Sequence, residues 1–456
     1  MLKLSTFRSP ICTEIRESLR LTIPLASAQI AQAATGFVDT VMMGSLGQET
    51  LAGGGLAATT FTTLLVTATG IVISVSPLIA EAHGIGNKAR IQQLTRQGIW
   101  LSLLLAIPGM FLLGQVDSLM RFGLAENIVL LAKKFLNIIV WGFLPALMFA
   151  MLKSVVSSLS QPQIITLVVV IGTLFNAAGN YILGFGKLGF PILGISGIAW
   201  ASVLSQWLML TLLIVYICQH KQLKVFNLFK NLQQFDPKIL QELIWLGVPI
   251  AISFAFEIGL FTTTTYLMGF LGTDILAAHQ IVFQTIAVIF MIPLGMSFAT
   301  TIRVGQWNGQ QNANAVKRSA YVGMWMGGLF MTGMAITLLL FPRQIIGLYL
   351  DIDNPENARA ISLATSMLRI AAISQILDGV QTTAAGALRG LQDTRVPMLL
   401  SLFAFWGVGL VSGYVLGFPL GFGGVGLWWG QLIGVAVAAG LFVARFQKLI
   451  SSNWVT

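Results

Sequence analysis

Charge is what this sequence has least of. Asp, Glu, Lys and Arg make up 9% of its 456 residues, where a soluble domain carries roughly a quarter. Such a deficit leaves too little polar surface to keep a folded chain in water. Cysteine is nearly absent: only Cys12 and Cys218 occur, without a CxxC, so no disulfide framework exists. Both fall at expected cytoplasmic ends of helices, where thiols stay reduced. The three histidines, His83, His220 and His279, show no metal-ligand spacing and are expected at helix ends, in the interface. No P-loop, nucleophile elbow or metal motif appears, which argues against ATP-driven pumping within the chain and leaves a membrane-embedded enzyme without its chemistry. Strand-length alternation is missing as well, against a membrane β-barrel.

What is present is apolar. Hydrophobic residues make up 56% and the mean hydropathy is +0.83. They come in runs such as Ile99 to Gly114 and Leu131 to Leu152, and about 20 such residues cross a bilayer as a helix. The pattern predicts an all-α membrane protein with twelve helices, at roughly 18–43, 52–77, 97–116, 130–153, 164–185, 195–218, 240–268, 278–301, 319–341, 361–386, 397–417 and 425–446. Turn signals such as Gly84-Ile85-Gly86-Asn87, Gln161-Pro162, Asn308-Gly309 and Asn354-Pro355 separate them. The net charge of +10 does not indicate nucleic acid, because the bases sit in short loops and form no groove-tracking cluster. With the N-terminus inside, cytoplasmic segments hold nineteen of the 26 Lys and Arg, leaving Arg121, Lys133, Lys134, Lys187, Arg343, Arg359 and Arg369 outside. That imbalance predicts both termini in the cytoplasm. Lys3, Arg8, Arg16 and Arg20 delay the first apolar run to Leu21, so the first helix reads as an uncleaved anchor, not a signal peptide. Glu14 and Glu17 argue against a transit sequence, and the expected home is a prokaryotic plasma (inner) membrane.

The two halves repeat. At one constant offset, Pro24 aligns with Pro249, Gly44 with Gly269, Gly47 with Gly272, Leu51 with Leu276, Ala52 with Ala277 and Gly84 with Gly309. Later, at a slightly larger offset, Gly194-x-x-Gly-x-x-Trp200 matches Gly423-x-x-Gly-x-x-Trp429. Six spans per half make the repeat parallel, related by an axis along the membrane normal. The expected organisation is an N-lobe over 1–218, a cytoplasmic linker over 219–238 and a C-lobe over 239–456, two pseudo-symmetric six-helix lobes around a central cavity.

Three acids fall inside apolar helices: Asp39, Glu257 and Asp378. A charge at the bilayer centre costs about 2.5–3.5 kcal/mol on insertion scales, so three ionised and unpaired acids cost roughly 8–10 kcal/mol. Protonation, a bound cation or cavity water must offset that. No base lies mid-span beside Asp39, and Arg369 is about 13 Å of helical rise from Asp378, too far for a direct pair. Ser374 and Asp378 share a helix face, as do Asn176 and Asn180; hydroxyl, amide and carboxylate oxygens suit a hard monovalent cation, and carboxylates also carry protons. The same groups serve equally as hydrogen-bonding glue between helices, and spacing alone does not separate the two roles. Pro24 and Pro249 lie inside their helices, where each removes a backbone hydrogen bond and favours a kink. Met-rich and aromatic surfaces repack around varied ligands, which makes Met42, Met43, Phe254, Phe256, Phe283 and Met291 candidates for a cargo surface as well as for ordinary packing.

These residues resemble a known family. Gly36-Phe-Val-Asp-Thr-Val-Met-Met-Gly44 with Gly47 and Leu51-Ala52 is similar to the first-helix signature of the multidrug and toxic compound extrusion (MATE) transporters. Leu388-Arg-Gly-Leu-Gln-Asp-Thr-Arg395 resembles their loop between helices 10 and 11, and Gly194-Ile-Ser-Gly-Ile-Ala-Trp-Ala-Ser202 the start of helix 6. The resemblance covers the whole chain. It implies export of small cationic, amphipathic compounds in exchange for Na⁺ or H⁺, with no cofactor beyond that ion, by a monomer. It implies that Asp39 is the N-lobe acid and that Asn176, Asn180 and Ser202 complete a cation site, although the family often has Asp at Asn180 and Thr at Ser202. Glu257 and Asp378 match the C-lobe acid pair of the NorM-like branch, which commonly has Tyr at Ser374. A flippase of lipid-linked precursors from the same superfamily is the alternative; such proteins generally have more spans and several basic residues in the cavity.

Overall fold

The computed structural model describes residues 10–115 and 126–453. Lys3, Arg8 and Arg121, which entered the charge balance, lie outside the described residues. Among the described residues the regular elements are helical. The chain opens with α1 (Pro10–Ser45). Eleven helices long and apolar enough to cross a membrane follow: α2 (Gln48–Ile85), α3 (Lys88–Gly114), α4 (Asn127–Ser158), α5 (Gln163–Gly184), α6 (Ile195–Gln219), α7 (Pro237–Leu271), α8 (Thr273–Gly309), α9 (Ala313–Leu340), α10 (Pro355–Gly390), α11 (Arg395–Gly417) and α12 (Gly423–Ser452). With α1, whose hydropathy is diluted by Gln29, Gln32 and Asp39, they make the twelve spans the sequence predicts. Several run well past their apolar stretches, because hydropathy marks only the part that lies in hydrocarbon. The polar ends are built as helix: the Asn87 side chain accepts the Arg90 N–H at 3.0 Å and the Asn312 side chain the Ala315 N–H at 3.0 Å, each capping the helix that follows.

Those two caps, Asn87 and Asn312, stand at the same offset as Pro24 and Pro249, and the repeat recurs in the backbone. Gly47 and Gly272, each preceding a helix, adopt nearly the same conformation, φ 128° with ψ 161° and φ 123° with ψ 162°. A side chain at that φ is strained, so glycine stands at both. Each half also widens into a π turn in its fifth helix, at Asn180–Gly184 and Leu402–Leu410.

Packing divides the chain into two compact units, Ser27–Ala251 and Met1–Ala26 with Ile252–Thr456. These borders differ from the expected 1–218, 219–238 and 239–456, and the physical reason is visible in each unit. In the first, the segment after α6 is bound along α3: Gln92 donates to the Asn227 carbonyl at 2.9 Å, Gln97 to that of Gln234 at 2.9 Å and Trp100 to that of Leu232 at 3.0 Å. Arg90 then pairs with Glu242 at the start of α7, and Gly70 and Gly247 let α2 and α7 touch backbone to backbone. In the second unit, Glu14 near the start of α1 is 2% exposed. It accepts both Arg303 nitrogens, at 2.7 and 2.8 Å, the Ser319 hydroxyl at 2.7 Å and the Trp307 indole at 3.3 Å. The borders therefore fall inside α1 and α7, just after Pro24 and just after Pro249.

Between helices in lipid there is no hydrophobic drive, so close backbone approach and hydrogen bonds hold them together. The clearest case is α11 against α12. Gly409, Gly413 and Gly417 on one meet Gly426, Gly430 and Gly434 on the other, and a Cβ at Gly430 would stand 2.2 Å from the Gly413 Cα. Backbone cannot yield there. Gly430→Leu is expected to destabilise the fold by at least about 1–3 kcal/mol, while Gly440→Leu, whose added Cβ meets nothing within 4 Å, leaves it unchanged; thermal unfolding in detergent, followed by circular dichroism, compares the two. In the same assay Glu14→Ala, which strands the Arg303 guanidinium, is expected to cost about 3–5 kcal/mol.

Candidate functional site

Each compact unit buries its own acids. In the Ser27–Ala251 unit, α1 brings Asp39 against α5 and α6. One Asp39 carboxylate oxygen accepts the Asn180 amide N–H at 2.6 Å and the other accepts the Ser202 hydroxyl at 3.1 Å. The Asn176 amide donates to the Ser202 oxygen at 3.1 Å, and Asn180 donates also to the Asn176 carbonyl at 3.2 Å. The four expected residues of this site thus meet, although three helices of sequence separate Asp39 from Asn176. Asn176 and Asn180 are fully buried. The amide oxygen of Asn180 has no hydrogen-bond partner, which is costly in a buried position unless something completes it. Asn180 opens the π turn, and such bulges recur at functional sites because they redirect a side chain without ending the helix. A carboxylate, an unpartnered amide oxygen and a hydroxyl oxygen within one hydrogen-bonded cluster are the donor set of a small hard cation.

In the other unit, Asp378 and Ser374 are both buried on α10, and Glu257 on α7 is half-buried. The charges of Glu257 and Asp378 lie close enough to act on one another. The hydroxyl that hydrogen-bonds Asp378 is that of Thr382, one turn further on, which donates at 3.4 Å. Glu257 also feels Arg389, a residue the sequence assigned to a cytoplasmic helix end. Arg389 is 6% exposed. Its guanidinium donates to the Ser297 hydroxyl at 2.6 Å and lies over the rings of Phe254 and Phe298, 5.5 and 5.8 Å from their centroids. One guanidinium nitrogen has no partner.

A second base was missed. The apolar run of α4 was expected to end at residue 153, yet the helix continues to Ser158. Lys153 is therefore inside the span, donating to the side-chain oxygens of Gln29 at 3.1 Å and Gln32 at 3.4 Å on α1. The sequence places it as the last residue of the fourth predicted helix, among the cytoplasmic bases.

Other expectations need correction. Met43 is 2% exposed and its sulfur fills the notch left by Gly54, so it is core and not a cargo surface. Phe256 packs against a buried cluster around Leu260 and Phe405. His279, expected near a helix end, is fully buried in the protein, shares a 2.9 Å hydrogen bond with Thr265 and stacks on Phe283. Nearly two turns of α8 precede it, which place it well inside the helix. Pro24 and Pro249 lie inside α1 and α7 as expected.

The MatE family model matches residues 24–182 and 249–415, one segment in each half, and the two segments start at the paired prolines Pro24 and Pro249. Among curated proteins, the chain is 50% identical over 438 residues to the probable multidrug resistance protein NorM of Synechocystis sp., covering 96% of this chain and 95% of that protein. It is 37% identical over 438 residues to the multidrug resistance protein NorM of Burkholderia vietnamiensis, covering 96% and 94%. Among solved structures, a eukaryotic MATE transporter, AtDTX14, superposes with a TM-score of 0.86 at 18% identity over 98% of this chain and 99% of that one. An outward-facing multidrug resistance MATE transporter of the MOP superfamily superposes with 0.86 at 20% identity over 97% of each. These two share the fold. The matched segments and the near full-length relatives together make this chain a member of the MatE family, that of the NorM multidrug transporters.

Proposed function

We propose that this protein is a secondary exporter that moves small cationic, amphipathic compounds out through the plasma membrane in exchange for Na⁺ or H⁺, with both termini in the cytoplasm. The observation that carries the reading is the Asp39 cluster. Among the described residues its carboxylate is met by two neutral donors, Asn180 and Ser202, and by no base. The charge is hydrogen-bonded but not neutralised, which in a span is tolerable only while something positive is near. A proton, a Na⁺ ion and the ammonium of a cargo molecule all supply that, and they compete for it. Ion uptake from outside then releases cargo, and ion release inside restores the seat. For the exchange to run, the ion must bind the outward- and inward-open states with different affinities.

Glu257 and Asp378 give a second acid site, with Arg389 as the local positive charge. Two carboxylates close together cannot both ionise cheaply, so this pair is suited to hold one proton or one cation. The relatives' names as multidrug resistance proteins support the cargo class. The flippase alternative has less behind it, since among the described residues the candidate acids are accompanied by single bases, Lys153 in one unit and Arg389 in the other, and not by a basic cluster of the kind a pyrophosphate requires.

Purified protein in liposomes loaded with ethidium separates the possibilities. A Na⁺ gradient or a pH gradient, imposed singly, is expected to drive dye movement, and the effective gradient identifies the ion. Asp39→Asn is expected to lower that movement to less than about a tenth of wild type with the protein still inserted; wild-type rates in that variant would sink the proposal. Asn180→Ala removes an oxygen ligand without removing charge, and is expected to raise the ion concentration needed for half-maximal exchange by about tenfold, the scale of one lost charge-assisted hydrogen bond. An unchanged ion dependence there would mean that the Asn180 oxygen does not face the ion.

A further inference from the structure

We infer that Lys153 restricts the cargo of this transporter to compounds with a single positive charge; the inference rests on the cationic-cargo reading above and deepens it. Gln29, Gln32 and Asp39 follow one another on α1 at steps of three and seven, so they share one face of the helix. Lys153 is held by the two glutamine oxygens and Asp39 by Asn180 and Ser202. Between them, Thr35 and Thr173 share a 2.8 Å hydrogen bond. All these residues belong to the Ser27–Ala251 unit. Two turns of helix place the glutamine pair about 10 Å along the axis from Asp39.

The electrostatics follow from what the ammonium touches. Both of its acceptors are neutral amide oxygens, and among the described residues Lys153 forms no ion pair. Its charge is therefore solvated but not cancelled. A monocation at Asp39 is drawn by a full opposite charge in direct contact, which outweighs the repulsion of Lys153 at about 10 Å. A second positive charge on the same molecule has no carboxylate of its own beside Asp39 and meets the lysine instead. At an effective dielectric near 20, a charge at Asp39 already feels the lysine from about 10 Å, and a second charge reaching about halfway toward it adds a repulsion roughly twice as large, which weakens binding by a further tenfold or more. The device also runs in reverse. Without the lysine, Gln29 and Gln32 offer two unoccupied oxygens one turn apart, an arrangement that accepts an ammonium group, so the position changes from repelling a second charge to seating it.

Ethidium and propidium share one phenanthridinium ring system and carry one and two positive charges. Their binding to the purified full-length protein in detergent, read by dye fluorescence, tests the inference directly. Wild type is expected to bind ethidium at least tenfold more tightly than propidium. Lys153→Met keeps the side-chain volume and is expected to bring the ratio within threefold by tightening propidium; Lys153→Gln serves as the second uncharged variant. Lys153→Arg keeps the charge and is expected to keep the discrimination despite its greater bulk. A wild-type protein that binds both dyes equally, or uncharged variants that leave the ratio unchanged, would overturn the inference while ethidium binding still upheld the cationic-cargo reading. Failure of wild type and every variant to bind either dye would remove both.

Discussion

Hydrocarbon offers no water to a buried polar group, so each one must be met by another part of the protein. That constraint accounts for most of the placement described here. Asp39 is met by an amide and a hydroxyl from two other helices. Arg389 is met by the Ser297 hydroxyl and two aromatic rings, and Lys153 by two glutamine oxygens of α1. The same constraint limits what drives helices together. Apolar side chains gain nothing by leaving lipid for protein, and so α11 and α12 join through six glycines that let backbone meet backbone. Buried polar groups also differ in how far their contacts are complete. Those of Thr35 and Thr173 are closed upon each other. Those of Asn180 and Arg389 each leave one buried atom unmatched.

Much of this was legible in the sequence because its signals are one-dimensional. The spans show as runs, the repeat as a constant offset, and the acids as charges where none is tolerated cheaply. The four residues of the Asp39 cluster were nameable because type and position matched a family pattern, and the structure joins them by hydrogen bonds. Three things were not legible. Lys153 and Arg389 lie where an apolar run fades, and a base there counts as a cytoplasmic charge; only the real ends of α4 and α10 place both within a helix. Ser374 and Thr382 stand one turn before and one turn after Asp378, so spacing gives them equal claim, and the choice of Thr382 depends on side-chain direction. His279 lies near a predicted helix end, but its ring is turned into the protein and finds Thr265 of α7 as a partner.

The borders of the compact units carry a further consequence. They fall after Ala26 and after Ala251, two alanines related by the same offset that relates Pro24 to Pro249, Asn87 to Asn312 and the starts of the two matched family segments. In both α1 and α7, the stretch before the border is tied by an acid to its own unit, Glu14 to Arg303 and Glu242 to Arg90. The stretch after it carries the candidate ion-binding acid, Asp39 or Glu257, in the other unit. A proline inside a helix costs about 3 kcal/mol or more through the lost hydrogen bond and the ring clash. Two halves that have otherwise diverged both place that cost just before the border. There the backbone is already weakened, and a bend demands less than elsewhere in the helix. Under the proposed exchange, a change of charge at Asp39 or Glu257 would act on the stretch beyond the proline, while the stretch before it is held by its ion pair. Any difference that follows would fall on the helix between them, and the proline is where a bend would cost least.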